Sequence, residues 1–267
     1  MMIDVQSYLD AYTDNIDEVL KELKQHQIIT VSNSVDLDSY ALNCEIANRS
    51  KLVIPIFGIH PINASKYASD LSIVNDALES SPLIGEIGLD FTTAMDDAHR
   101  QDQITIFEYL LEFASTKKRY VILSSKEADI DVLRLIEKHN IQKVIISNFT
   151  GTQEIFEKMI NRGIFFTLGA DILSSNNTKQ LAKDIPEDQL LIGTGNPGIS
   201  TNQSSTMPQV INDIVKELAH QRNRPEKDIV RMVERNFLSI LQSNRSLAKF
   251  SKKIARDFKN RRGSRTL

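Results

Sequence analysis

The side chain with the clearest chemical potential in this 267-residue chain is Glu86, set in Ser81-Pro-Leu-Ile-Gly-Glu-Ile-Gly-Leu-Asp90. A carboxylate in an otherwise apolar, strand-like stretch is costly to bury unless a metal, a cation or several donors compensate it. Asp4, within the opening Ile3-Asp4-Val5, and His60, in Gly58-Ile-His-Pro61, are the other candidate catalytic groups. Asp4, Glu86 and Asp90, with Asn148 and Asn196, form an oxygen donor set suited to a hard cation such as magnesium. The competing expectation is that Asp4 and Glu86 are hydrogen-bonded by neighbours in the fold, or paired with a cation such as Lys126.

Other chemistries find less support. Zinc and its relatives want three or four His, Cys or carboxylate ligands converging on one point. Of the five histidines, His26, His99, His139 and His220 fall on predicted helices or away from the strand ends, leaving His60. No His-x-His, His-Glu-x-x-His or paired-cysteine motif occurs, so a two-metal centre cannot be assembled in the usual way. Ser124, Ser125 and Ser147 have no plausible general base except His60, which argues against a serine nucleophile. Gly193-Thr-Gly-Asn-Pro-Gly198 reads either as an anion-binding run of backbone N–H groups or as a plain turn.

The elements that must position these groups alternate along the chain. Apolar strands are predicted at 3–5, 28–32, 51–58, 83–89, 119–124, 143–147, 164–168 and 189–193. Helical periodicity falls between them, at 14–27, 39–48, 97–117, 127–140, 153–162 and 178–184, with two closing helices at 207–222 and 225–242. Eight strands, each followed by a helical region, predict the α/β class and a single-domain (β/α)8 TIM barrel over residues 1–242. In such barrels chemistry sits at the C-terminal strand ends, where Asp4, His60, Glu86, Lys126, Asn148 and Asn196 all fall.

Composition narrows the setting. One cysteine, Cys44, excludes a disulfide framework, and no apolar run is long enough to span a bilayer. With no leader-like stretch at Met1-Met2-Ile3, the expected location is cytoplasmic. The net charge of -3 conceals an asymmetry: residues 246–267 hold eight Lys/Arg against one Asp, or +7, leaving 24 basic and 34 acidic residues over 1–245, or -10.

Gly58-Ile-His-Pro61, Ile84-Gly-Glu-Ile-Gly-Leu-Asp90, Asn148-Phe-Thr-Gly151, Leu190-Leu-Ile and Glu234-Arg-Asn-Phe237 stand in the order and spacing of the TatD family. The chain resembles these metal-dependent hydrolases of the amidohydrolase superfamily, mostly DNases, from Ile3 to about Leu241. The resemblance implies a metal-bridging role for Glu86 and a substrate-phosphate contact for His60. It also implies that most metal ligands are gone. The family's Asp-x-His-x-His aligns with Asp4-Val-Gln6-Ser-Tyr8, and its Ile-His-x-Arg with Leu123-Ser124-Ser-Lys126. Its His-Cys-Phe-Ser-Gly aligns with Ser147-Asn-Phe-Thr-Gly151, and its Glu-Thr-Asp-Ser-Pro with Gly193-Thr-Gly195-Asn-Pro197.

What this implies is a TatD-like pseudoenzyme, a binding or structural subunit of a protein complex with no cofactor, or at most a divalent metal at Glu86. The ligand-binding candidates are His60, Lys126, Asn148 and Asn196. One alternative is a residual nuclease or phosphoesterase using Glu86 and Asp4. Another is a nucleic-acid binding module acting through the tail. That tail, residues 243–267, places Leu247, Phe250, Ile254 and Phe258 on one helical stripe, with Lys252, Lys253 and Arg256 among the charges on its other faces. It reads as a basic amphipathic helix that docks on the barrel or on a partner protein; the barrel mouth is the other candidate partner surface.

Overall fold

The computed structural model describes residues 1–197 and 207–242, with Leu247, Ala248, Lys252 and Arg256 of the tail. The described residues fold as an α/β barrel of eight parallel strands. These are β1 (Met2–Ser7), β2 (Ile28–Asn33), β3 (Val53–Ile56), β4 (Ile84–Asp90), β5 (Val121–Lys126), β6 (Val144–Ser147), β7 (Phe165–Leu168) and β8 (Leu190–Ile192). Strands β1 to β3 pair in order, as do β4 to β8. Two single bridges, Ser7 to Asn196 and Phe57 to Ile84, join the two sets into a closed ring. At the first seam Tyr8 N–H donates to the Asn196 carbonyl and Gly195 N–H to the Gln6 carbonyl, both at 2.7 Å.

Helices α1 (Ile16–Gln25), α2 (Leu37–Arg49), α3 (Asn75–Ser80), α4 (Asp97–Lys117), α5 (Asp129–Lys138), α6 (Gln153–Asn161), α7 (Asn176–Asp184) and α8 (Val210–Gln221) follow the eight strands in turn. Four of these starts are set by short polar residues: Asp36, Asp96, Thr152 and Ser175, before α2, α4, α6 and α7, each accept a first-turn backbone N–H. Asp96 caps the long α4 by accepting from His99 N–H at 2.8 Å. Asp96→Ala is expected to lower stability by about 1 kcal/mol, read as a shift in the urea midpoint at unchanged slope.

A ninth helix, α9 (Glu226–Gln242), lies under the beginnings of the strands. Asn236 on it donates to the Glu187 and Leu190 carbonyls at 2.7 and 2.8 Å, and Glu234 pairs with the Met1 α-amino group at 3.0 Å. The foot of the barrel is thereby closed and its opposite end left as the mouth. Leu247, the first apolar residue of the tail stripe, is buried in the same core, while Ala248, Lys252 and Arg256 are helical and exposed. Phe250, Lys253, Ile254 and Phe258 lie outside the described residues. Among the described residues no helix is long and apolar enough to cross a membrane.

Strand β4 owes its position to glycine. A Cβ at Gly58, on the loop after β3, would stand 2.5 Å from the Gly85 carbonyl carbon. The close contact between these two chain segments delivers Glu86 and His60 to the same end of the barrel.

Candidate functional site

Glu86 is the third residue of β4 and is buried at 3 % exposure. Both carboxylate oxygens are already engaged. Ser147 Oγ, at the end of β6, donates to Oε1 at 2.7 Å. Gln6 Nε2, near the end of β1, donates to Oε2 at 3.0 Å, and the Tyr8 hydroxyl donates to the same oxygen. Burial pushes the Glu86 carboxyl above its ordinary range, against the opposing pull of the Ser147 and Gln6 bonds. Gln6 is itself held by Asn148, whose Nδ2 donates to Gln6 Oε1 at 3.4 Å.

The other carboxylates have their own partners. Asp4 accepts Thr194 N–H at 2.9 Å, Thr194 Oγ at 2.7 Å and Gln6 N–H at 3.1 Å. Burial raises it to about 6, with the Thr194 and Gln6 bonds pulling the other way. Asp90 accepts Thr92 N–H at 3.0 Å and the Thr92 hydroxyl, and Lys126 Nζ lies 3.6 Å from its second oxygen. The cation considered for Glu86 is therefore spent on Asp90. Lys126 contributes to Glu86 only a weaker electrostatic pull.

His60 is buried, and its Nδ1 accepts Ile62 N–H at 3.3 Å, which fixes the proton of the neutral ring on Nε2. Burial lowers this imidazole to about 4; Asp90 opposes the shift and Lys126 adds to it. Because the folded value lies below the ordinary 6.5, His60 favours the fold at neutral pH, and that contribution is lost as pH falls through 6.5 towards 4. A ¹⁵N NMR titration of the ring is expected to show a midpoint near 4, with no charged His60 at pH 6. A midpoint above 6 would contradict the burial argument.

The loop after β8 is a turn whose N–H groups are spent internally. Gly193 N–H goes to the Leu168 carbonyl, Gly195 N–H to Gln6, Thr194 N–H to Asp4, and Asn196 N–H to Thr194 Oγ. Little is left there for an anion up to Asn196; Gly198 lies outside the described residues. Asn196 is buried and presents its carbonyl to Tyr8 N–H and Ser7 Oγ.

The sequence reading placed Glu86, Asp4, His60, Lys126, Asn148 and Asn196 at one end of the barrel, and they stand there. The side chains that complete the site are Gln6, Tyr8 and Ser147 around Glu86, and Thr194 on Asp4. The signal for the first three was present: they occupy the very positions where the resemblance implies histidine ligands. For Thr194, a threonine in a glycine-rich loop carries no signal.

These residues do not fit the metal that the resemblance implies. Gln6, Tyr8 and Ser147 are neutral groups turned onto Glu86 as donors, which occupies the lone pairs a bridging carboxylate would offer to metal. Among the described residues no group of three or more His, Cys, Asp or Glu side chains is arranged to hold an ion. As an oxygen site for magnesium the set fails likewise, since Asp4, Glu86 and Asp90 each face different donors.

Against known proteins, the family model described as TatD related DNase matches residues 3–242. An uncharacterised metal-dependent hydrolase of Bacillus subtilis, YabD, is 22% identical over 257 residues, covering 91% of this chain and all of that protein. A 3'-5' ssDNA/RNA exonuclease TatD of Pantoea vagans is 23% identical over 236 residues, covering 81% of this chain and 90% of that one. Among solved structures, the TatD homologue YJJV of Escherichia coli superposes with a TM-score of 0.80 at 19% identity, over 90% of this chain and 97% of the other. Fold, strand-end motifs and a family match that runs the length of the barrel agree: this chain belongs to the family of TatD related DNases.

Proposed function

We propose that this member of a hydrolase family is a pseudoenzyme, a TatD-like barrel that works by binding, as a subunit of a protein complex. The observation that carries the reading is the hydrogen-bond cage on Glu86. Loss of one ligand would leave a crippled metal site. Here the replacements at three ligand positions face inward and satisfy the remaining carboxylate, so the former metal site has become a closed polar cluster.

The electrostatics of the mouth support the same reading. Asp36, Asp96, Asp97, Glu127, Asp129 and Asp171 lie on the loops and first helical turns that follow the strands, against Lys66, Arg100, Lys126 and Lys179 at the same end. A polyanionic substrate meets repulsion at such a surface.

The reading is tested by nuclease assays on single-stranded DNA and RNA with magnesium or manganese added. The expected outcome is no metal-stimulated cleavage above that of a Glu86→Ala control. Cleavage that requires both metal and Glu86 would establish a residual hydrolase instead.

A further inference from the structure

We propose that the rim of the barrel mouth, along the loops that follow β4 to β7, docks a basic amphipathic segment of a partner protein. The proposal rests on the reading of the chain as a binding subunit and supplies the surface and the partner chemistry that reading lacks. Among the described residues six large apolar side chains are exposed. Four of them, Ile62, Met95, Ile130 and Leu173, stand on the loops and first turns that follow β3, β4, β5 and β7, all at the mouth. Met95 and Ile130 are 88 % and 71 % exposed. Single exposed apolar residues are ordinary, but a group gathered at one end of a barrel marks an interaction surface.

Charge accompanies the apolar residues. On three of these loops an exposed carboxylate stands beside the exposed apolar side chain: Asp97 by Met95, Glu127 by Ile130 and Asp171 by Leu173. None of the three carboxylates enters an ion pair or a side-chain hydrogen bond among the described residues. The cations at this end are engaged elsewhere. Lys66 lies 3.8 Å from Asp36, Lys126 3.6 Å from Asp90 and Lys179 3.8 Å from Glu217, while Arg134 is held by Asp131 at 2.8 Å. The Arg100 guanidinium lies over the Phe91 ring, 5.2 Å from its centre. Residues 198–206, which follow β8 in the chain, include no charged side chain. The unmatched charge of the rim is therefore negative and sits beside apolar side chains. Its complement is a segment that offers Lys or Arg on one edge and aliphatic side chains on the other.

The loops form one arc, because β4 to β7 are consecutive neighbours in the sheet. Its middle holds a groove of about 430 Å³ between the start of α5 and the loop from β6 to α6. Glu127 and Asp129 stand on one wall and Thr150 and Thr152 on the other, Ile130 and Ile155 supply the apolar part, and no cation lines it. Three strand spacings make the arc about 15 Å long at the strand ends. That is the reach of about ten helical residues. Nucleic acid and anionic lipid are the poorer match, since their phosphates would meet the unpaired carboxylates.

The test uses the full chain and a fluorescein-labelled helical peptide of about 14 residues, lysine on one face and leucine on the other. A scrambled peptide of the same composition is titrated in parallel by anisotropy at about 0.15 M salt, where charges more than about 8 Å apart are largely screened. The amphipathic peptide is expected to bind saturably and at least about tenfold more tightly than the scrambled one. Both Glu127→Lys/Asp171→Lys and Ile130→Ser/Leu173→Ser are expected to weaken it by about fivefold or more while melting like the parent chain. All four are exposed positions, so loss of folding does not confuse the result. Asp188→Lys/Glu226→Lys makes the same change of charge on exposed residues at the foot of the barrel and is expected to weaken binding by less than about twofold. Absence of saturable binding, equal affinity for the scrambled peptide, indifference to either pair of mouth substitutions, or an equal loss in the foot variant would overturn the proposal. Metal assays on the same preparation keep the two readings apart. A metal-loaded nuclease that still binds the peptide through these residues refutes only the pseudoenzyme, and a metal-free chain that ignores the peptide refutes only the docking rim.

Discussion

The double variant Gln6→Leu/Tyr8→Phe is expected to lose about 4 kcal/mol of stability at pH 7. Both changes strip donors from Glu86 Oε2, leaving a fully buried carboxylate with only Ser147 on its other oxygen. A buried ion deprived of its partners bears its desolvation cost uncompensated, which far exceeds the net worth of the bonds removed. The pH dependence identifies the cause. Burial already holds the Glu86 carboxyl above its ordinary range, and removing donors raises it further. A carboxyl whose folded pKa lies above its unfolded value favours the fold most when protonated, and that contribution is lost as pH rises. The penalty in the double variant should therefore shrink as pH is lowered from 7 to 5, in urea denaturation at each pH. Adding Glu86→Gln to the same background should recover stability at pH 7, since no charge is then left to solvate. A loss below about 1 kcal/mol, or no recovery with Glu86→Gln, would mean that the cage is not what holds Glu86.

Gly88→Ala is expected to cost about 4 kcal/mol or to abolish folding. Gly88 has a φ of +130°, and a Cβ there would stand 2.1 Å from the carbonyl oxygen of Ser124. That oxygen belongs to the backbone of β5, in register with Gly88, and cannot retreat without breaking the strand pair. Gly163→Ala is the control: its φ is +72°, but nothing lies within 4 Å of the added carbon. The control should cost only about 1 kcal/mol, the strain of the left-handed backbone alone. Comparable midpoints for the two variants in thermal or urea denaturation would show that close approach of β4 and β5 is not what Gly88 serves.

The barrel was legible in the sequence because eight apolar runs separated by helical periodicity leave few alternatives. Predicted and observed limits coincide for α4, at Asp97–Lys117, where Asp96 supplies a cap and a residue in the left-handed region, Lys118, ends the helix. They differ at β1, which runs on through Gln6 and Ser7 to Ser7. Those polar residues hid the strand's continuation, because at a barrel end strand side chains point into a site rather than a core. They differ again at 9–15, where two short 3-10 turns carry the chain out of β1 with no hydrophobic period to announce them.

Glu86 was legible as a buried carboxylate needing compensation, while Asp4 was open between a catalytic or metal-binding carboxylate and one held by its neighbours; Thr194 and Gln6 hold it. Which donors would supply the compensation was legible only through the resemblance, which sets Gln6, Tyr8 and Ser147 where the family has histidine. Gln, Tyr and Ser are ordinary surface residues in composition, and only the closure of β1 onto β8 and the pairing of β6 between β5 and β7 bring them to one oxygen pair. Lys126 shows the limit of reading charge without geometry: it was a natural counter-ion for Glu86, yet its partner is Asp90, four residues further along β4. The basic stripe of the tail was visible as a pattern, but most of it, Phe250, Lys253, Ile254 and Phe258 included, lies outside the described residues.

The central claim is that the cage on Glu86 stands in place of a metal centre. Its most direct measurement is the metal content of the full chain, purified without chelator and then equilibrated with zinc, manganese and magnesium before dialysis. Inductively coupled plasma mass spectrometry is expected to find below about 0.1 equivalents of each metal per chain, unchanged in Glu86→Ala. Retention of about one equivalent or more of any of them, lost in Glu86→Ala, would contradict the account.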